Sequence, residues 1–108
     1  MDLNTYQQNV YQLSEYHKEL GPFSMILKMI GDIGVLGTKL HTVLEENKGA
    51  FTDEEKAKVS ITLGDMLTDI SNIAMDLNIP MSEVMALNLK KLELIKQRRE
   101  KQVERIEI

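Results

Sequence analysis

Residues 62–77, Thr62-Leu63-Gly64-Asp65-Met66-Leu67-Thr68-Asp69-Ile70-Ser71-Asn72-Ile73-Ala74-Met75-Asp76-Leu77, carry two chemistries at helical spacing. Thr62, Asp65, Asp69, Asn72 and Asp76 recur at intervals of three and four, so a helix places them on one face. Leu63, Met66, Leu67, Ile70, Ile73, Ala74 and Leu77 occupy the other side. An ordinary amphipathic helix would turn the polar face to water. Three carboxylates on one face with no lysine at matching spacing repel one another, however. Water tolerates that repulsion, and a bound cation makes use of it. Hard cations such as Mg²⁺ take carboxylate oxygens.

Moving outward, the same helical grammar covers the chain. Upstream, Thr52-Asp53-Glu54-Glu55 is a capping box, with Thr52 as cap and Glu55 reaching back; it starts a helix that runs to about Leu77. Asn78-Ile79-Pro80 reads as a turn, and Ser82 is predicted to cap a last helix through Val84, Met85, Leu89, Leu92 and Ile95. Asn47-Lys48-Gly49 closes a second helix that begins near Phe23. That helix is apolar around much of its circumference, which predicts a central position. Gly31, Gly34 and Gly37 lie inside it, each costing about 1 kcal/mol relative to alanine. Close approach of a neighbouring backbone or a kink would account for them. The first helix is predicted to start at Asn4, with Gln7 three positions on, and to break at Leu20-Gly21-Pro22. Strand-like alternation and internal repeats are absent. The expected fold is an all-α four-helix bundle over residues 1–97, with 98–108 as a charged helical extension or tail.

Composition narrows the function. A chain of 108 residues makes one domain with a modest core, which oligomerisation would help to stabilise. It has no cysteine, so a disulfide framework and Cys-ligated zinc are excluded. The N-terminus lacks a basic region followed by an apolar run, so no secretory signal is read and a cytoplasmic protein is expected. The apolar stretch from Phe23 to Leu44 contains Lys28, Asp32 and Lys39, each costly at a bilayer centre, which predicts no membrane span. Residues 1–89 hold 6 Lys/Arg and 13 Asp/Glu, net −7, and residues 90–108 hold 7 and 4, net +3. An acidic body argues against general nucleic-acid binding.

Several segments in order resemble the MazG-like nucleotide pyrophosphohydrolases over roughly residues 3–97. They are Leu3-Asn4-Thr5-Tyr6-Gln7, Leu20-Gly21-Pro22, Gly31-Asp32-Ile33-Gly34, Leu63-Gly64-Asp65-Met66-Leu67, Leu77-Asn78-Ile79 with Ser82-Glu83-Val84, and Asn88-Leu89-Lys90-Lys91-Leu92. The resemblance implies E-x-x-E and E-x-x-D motifs on the second and third helices, which hold Mg²⁺ while nucleoside triphosphates are split into monophosphate and pyrophosphate. It also implies a homodimer or dimer of dimers, and an Asn-x-x-Lys pair near the phosphates, matched by Asn88 and Lys91. The chemistry is reasonable, because two metals on four carboxylates neutralise the triphosphate and activate a water.

This chain departs from that pattern at three of four positions. Asp32 replaces the first Glu, Val35 the second and Thr62 the third; Asp65 alone matches. Asp69, one turn further on, could supply a replacement carboxylate. Asp32, Asp65 and Asp69 are therefore the candidate metal ligands, for a single or weakly held Mg²⁺. Removing a residue that merely supports a ligand typically costs about 10–100-fold, so losing two ligands is expected to cost at least ~10³-fold. His17 and His41 are isolated and fit no His–acid–nucleophile pattern. Three functions stay open from sequence: a weak or inactive homologue that binds nucleotide or a protein partner, an active hydrolase with a rebuilt site, and a helical interaction module without nucleotide binding.

Overall fold

A computed structural model describes residues 1–107 as four α-helices: α1 (Leu3–Leu13), α2 (Pro22–Asn47), α3 (Asp53–Asp76) and α4 (Met81–Glu107). A short 3₁₀ turn, Lys18–Leu20, precedes α2. The fold is all-α, with no strand among the described residues. The expected tail continues α4 as helix to Glu107, and position 108 lies outside the described residues.

Local chemistry sets most of the boundaries. The predicted capping box is present at the start of α3. Thr52 Oγ1 accepts from Glu55 N at 3.2 Å, and Glu55 Oε1 accepts from Thr52 N at 3.0 Å. α3 ends with Asn78 in the left-handed region at φ 57, and Ile79 N donates back to Ala74 O at 2.8 Å; this satisfies carbonyls the helix end would orphan. Pro22 sits in the first turn of α2, as predicted.

Two cap assignments need correction. Asp2, not Asn4, caps α1, its Oδ1 accepting from Thr5 N at 2.8 Å. Asn4 lies inside α1 and instead reaches α4: its Oδ1 accepts from Ser82 N at 3.2 Å, and its Nδ2 donates to Ser82 Oγ at 3.1 Å. Ser82 is therefore capped rather than capping. Gln7 completes the arrangement. Its Oε1 accepts from Met81 N at 3.1 Å and its Nε2 donates to Ile79 O at 2.8 Å. The orphan N–H groups of α4 thus find their partners on α1. α1 also ends earlier than predicted, at Leu13, where Ser14 N donates to Val10 O at 2.9 Å.

α2 and α3 form an antiparallel hairpin, with α1 packed on α3 and the start of α4 on α1. The burial pattern of this assembly reverses expectation. Thr62, Asp69 and Asn72 are buried, while Leu63, Leu67, Ile70 and Leu77 are exposed. Thr62 and Asp69 of the polar stripe face α2, whereas Asp65 is exposed. α2 is not central either: only Met25 and Val43 are buried along it. The buried apolar side chains are Met25, Val43, Ala74 and Met81. The glycines of α2 meet no neighbouring element: beyond the adjoining residues and backbone of their own helix, no described atom comes within 4 Å of where a Cβ at Gly31, Gly34 or Gly37 would stand.

The dimensions agree with this openness. The radius of gyration is 18.2 Å, against about 13 Å for a compact domain of this length. The accessible surface is 8419 Å², against about 6,100 Å² for a compact monomer of this mass. No described helix is long and apolar enough to cross a membrane.

Candidate functional site

The α2–α3 hairpin brings the polar stripe of α3 against three charged side chains of α2: Lys28, Asp32 and Lys39. Antiparallel packing pairs early residues of α2 with late residues of α3. Lys28 Nζ donates to Asp32 Oδ2 at 3.0 Å and to Asp69 Oδ1 at 3.1 Å. Further along, Lys39 Nζ donates to Thr62 Oγ1 at 2.8 Å and to Lys58 O at 3.5 Å. Two ammonium groups thus line the seam between the helices that carry Asp32 and Asp69.

The environments of the two carboxylates differ. Asp69 is 0% exposed. Burial, and then the neighbouring Asp32 carboxylate, raise its pKa to about 6 despite the Lys28 contact. Asp32 moves the other way, below the usual carboxylate range, held there first by the neighbouring Asp69 carboxyl and then by Lys28. The cleft side of Asp69 is incompletely satisfied: Oδ2 has no hydrogen-bond partner among the described residues. Lys28 keeps its proton firmly, because the two carboxylates outweigh its partial burial.

The other candidates lie outside this network. Asp65 is exposed and forms no ion pair among the described residues. Asp32, Asp65 and Asp69 do not converge into a three-carboxylate group. Val35 is exposed, and Thr62 is buried with its hydroxyl committed to Lys39. Asn88 and Lys91 lie exposed on α4, which leaves the hairpin after its first turns and does not bring them to Asp32.

Sequence inspection missed the lysines. Lys28 stands four residues before Asp32, a spacing that favours an ion pair on a helix, and that signal was available. Its second partner, Asp69, is 41 residues away. Asp76, on the same stripe, accepts with both oxygens from Tyr16 OH, at 3.0 and 3.2 Å. Burial, then Asp76, push the Tyr16 hydroxyl well above its ordinary pKa. Beyond Lys39 the hairpin opens into a groove of about 380 Å³ lined by Thr38, Thr42, Asn47, Glu55 and Lys58.

Known proteins resemble the chain only distantly. No family model matches it, and no solved structure matches it. Over 70 residues it is 29% identical to the Gene 37 protein of Mycobacterium phage L5. That match takes in 65% of this chain and 61% of the phage protein.

Proposed function

We propose that the chain is a MazG-like helical scaffold that no longer performs metal-dependent pyrophosphohydrolysis and acts as a dimeric binding module. One observation carries this reading: a lysine ammonium lies between Asp32 and Asp69. The side chains present do not suit Mg²⁺, which needs carboxylate oxygens free to coordinate it in near-octahedral geometry. Here one carboxylate is fully buried, both share an internal cation, and the Thr62 hydroxyl is taken by Lys39. Lys28 cancels much of the field that would attract a second cation. The ordered set of segments from Leu3 to Leu92 supports the MazG-like scaffold, and the excess surface of a lone chain supports dimerisation. The groove beyond Lys39 falls within the size range of small-molecule sites, and a nucleotide is the ligand class the scaffold resemblance implies.

A pyrophosphate-release assay over NTPs and dNTPs with Mg²⁺ or Mn²⁺ tests the loss of chemistry. The expected result is no metal-dependent turnover above background. Sustained turnover that disappears in Asp65→Ala would overturn the proposal in favour of a rebuilt hydrolase on Asp32, Asp65 and Asp69; the exposure of Asp65 is the one feature favouring that alternative. Thermal shift tests binding, because a ligand that binds only the folded state raises its stability. No shift at millimolar nucleotide removes the nucleotide arm and leaves a protein partner.

A further inference from the structure

α4 is the longest described helix and the least supported. α1 holds its start, through Met81 and Ser82. From Met85 to Ile106 every residue except Ile95 is exposed, whereas α2 and α3 pack on each other. A helix draws most of its stability from packing an amphipathic face, not from propensity. The free length of α4 therefore calls for a partner.

Its apolar side chains fall on one line. Met85, Leu89, Leu92, Lys96, Arg99, Val103 and Ile106 follow one another at intervals of 4, 3, 4, 3, 4 and 3. This is the a/d spacing of helices that pack knobs into holes. Leu89 is 58% and Val103 51% exposed. At 1.5 Å per residue the line runs about 32 Å. Its centre is cationic. Lys96 meets Glu100 at 4.0 Å, in an exposed pair of the kind that holds weakly. Arg99 has no acid three or four residues away on either side, and forms no ion pair among the described residues.

The two cations select the occupant. If two copies of α4 pack in parallel, Lys96 faces Lys96 and Arg99 faces Arg99. If they pack antiparallel with the apolar layers matched, Lys96 faces Arg99. Both arrangements bury like charges at the centre of the contact, which discriminates against a second copy. The exposed apolar lines of α2 and α3 carry no charge in line and make no such selection. The flanks add a second constraint. Glu93 and Glu100 border the line on one side, and Asn88, Ile95 and Gln102 on the other. Phosphates laid along the line would meet those two glutamates, which disfavours a nucleic-acid backbone. A helix with carboxylates opposite Lys96 and Arg99, and basic groups opposite Glu93 and Glu100, satisfies all four charges.

We propose that this face of α4 docks a helix of another protein, with apolar core positions and carboxylates at the two that face Lys96 and Arg99. The inference rests on the binding-module reading above and names the class of partner.

A fluorescent synthetic helix of about four heptads tests it, with leucine at its core positions, lysine on its flanks and glutamate at the two central core positions. A matched probe carries lysine at those two positions instead. By anisotropy with the full chain, the glutamate probe should bind at least ~30-fold more tightly than the lysine probe, because the latter sets like charges together. Lys96→Glu with Arg99→Glu should invert the preference, with helical circular dichroism retained. No binding, equal binding of the two probes, or an order that the reversed variant leaves unchanged overturns the proposal. So does a DNA duplex that binds more tightly than the glutamate probe. Lys96→Leu with Arg99→Leu should add a step of self-association in sedimentation equilibrium, since a second copy is then admitted. Unchanged association in that variant overturns the selecting role of the two cations. Pyrophosphate release would overturn the loss of chemistry while leaving these outcomes untouched, so the two readings fail separately.

Discussion

Lys28 and Asp69 meet across the α2–α3 hairpin at 3.1 Å, a partly exposed ammonium on a carboxylate with no exposure of its own. The pair closes over 41 residues of sequence, and Asp32 shares the same nitrogen at 3.0 Å. A cation built into the chain therefore sits where a soluble cation would otherwise be drawn.

Lys28→Met should separate the two consequences of that arrangement. Without the ammonium, Asp69 is left buried beside Asp32. Breaking a fully buried pair costs several kcal/mol, but Lys28 is half-exposed, so a loss of about 1–2 kcal/mol in urea unfolding is expected. At the same time the charge of the site, with both carboxylates ionised, goes from −1 to −2. Removing one positive charge within about 4 Å at an effective dielectric near 20 is worth well over 1.4 kcal/mol, so Mn²⁺ should bind at least about tenfold more tightly. Isothermal titration reads this directly. A variant that loses stability without gaining Mn²⁺ affinity would mean that Asp32 and Asp69 are not the attracting groups.

Asp69 also predicts a pH dependence. The folded chain holds its proton to about pH 6, whereas an unfolded chain releases it near pH 4. Protonation thus favours the folded state. This contribution is complete below about pH 4, falls as pH rises toward 6, and is constant above that. Asp32, shifted the other way, acts below the usual carboxylate range and leaves the window between 4 and 6 to Asp69. Asp69→Asn mimics the protonated form while keeping Lys28 on Asp32. The variant should lose the slope between pH 4 and 6 and be more stable than the wild type at pH 7.5, by about 3 kcal/mol. Unfolding midpoints across pH 3.5–8 check this, and an unchanged slope would contradict it.

Gln7 is expected to matter more than its place on an outer helix suggests. It is buried and satisfies both Ile79 O and Met81 N. Gln7→Ala strands a carbonyl and an amide at the start of α4, at a cost of about 1–3 kcal/mol. Asn4→Ala removes exposed bonds to Ser82 and should cost under about 1 kcal/mol. Hydrogen exchange should localise the Gln7 effect, with faster exchange at Met81 and little change within α3. Equal losses from the two variants would contradict the clamp described here.

What the sequence disclosed follows the range of the interactions involved. Thr52 with Glu55, and Asn78 with Pro80, act within a few residues, and both marked their helix ends correctly. Asn4 and Ser82 carry the same capping chemistry, but they spend it on each other across 78 residues, so a local rule misassigned both. The stripe from Thr62 to Asp76 was visible as a stripe; its direction was not. Periodicity says which residues share a face, and only the packing partner decides whether that face is buried. Of the three carboxylates named from sequence, the structure brings Asp32 and Asp69 together on Lys28 and leaves Asp65 apart. The neutralising cations were not legible, because Lys39 on Thr62 and Lys28 on Asp69 are tertiary contacts.

Glutamates introduced at 35 and 62 should not by themselves create a metal site. Val35→Glu adds an exposed acid, and Thr62→Glu places one beside Lys39, whose ammonium already lies 2.8 Å from the Thr62 hydroxyl. The new glutamate at 62 would pair with that lysine, and Lys28 would still bridge Asp32 and Asp69. Added charge is then absorbed internally, so the double variant should bind Mn²⁺ only weakly. Adding Lys28→Met and Lys39→Met to the two glutamates removes both internal cations. It leaves Asp32, Asp69 and the new acid at 62 along the seam without an internal cation, oxygen ligands of the kind a divalent ion takes. Mn²⁺ affinity measured by titration should rise by at least ~100-fold between the double and the quadruple variant, a factor of 10 for each 1.4 kcal/mol of restored attraction. High affinity already in the double variant would mean that the lysines do not hold the site closed.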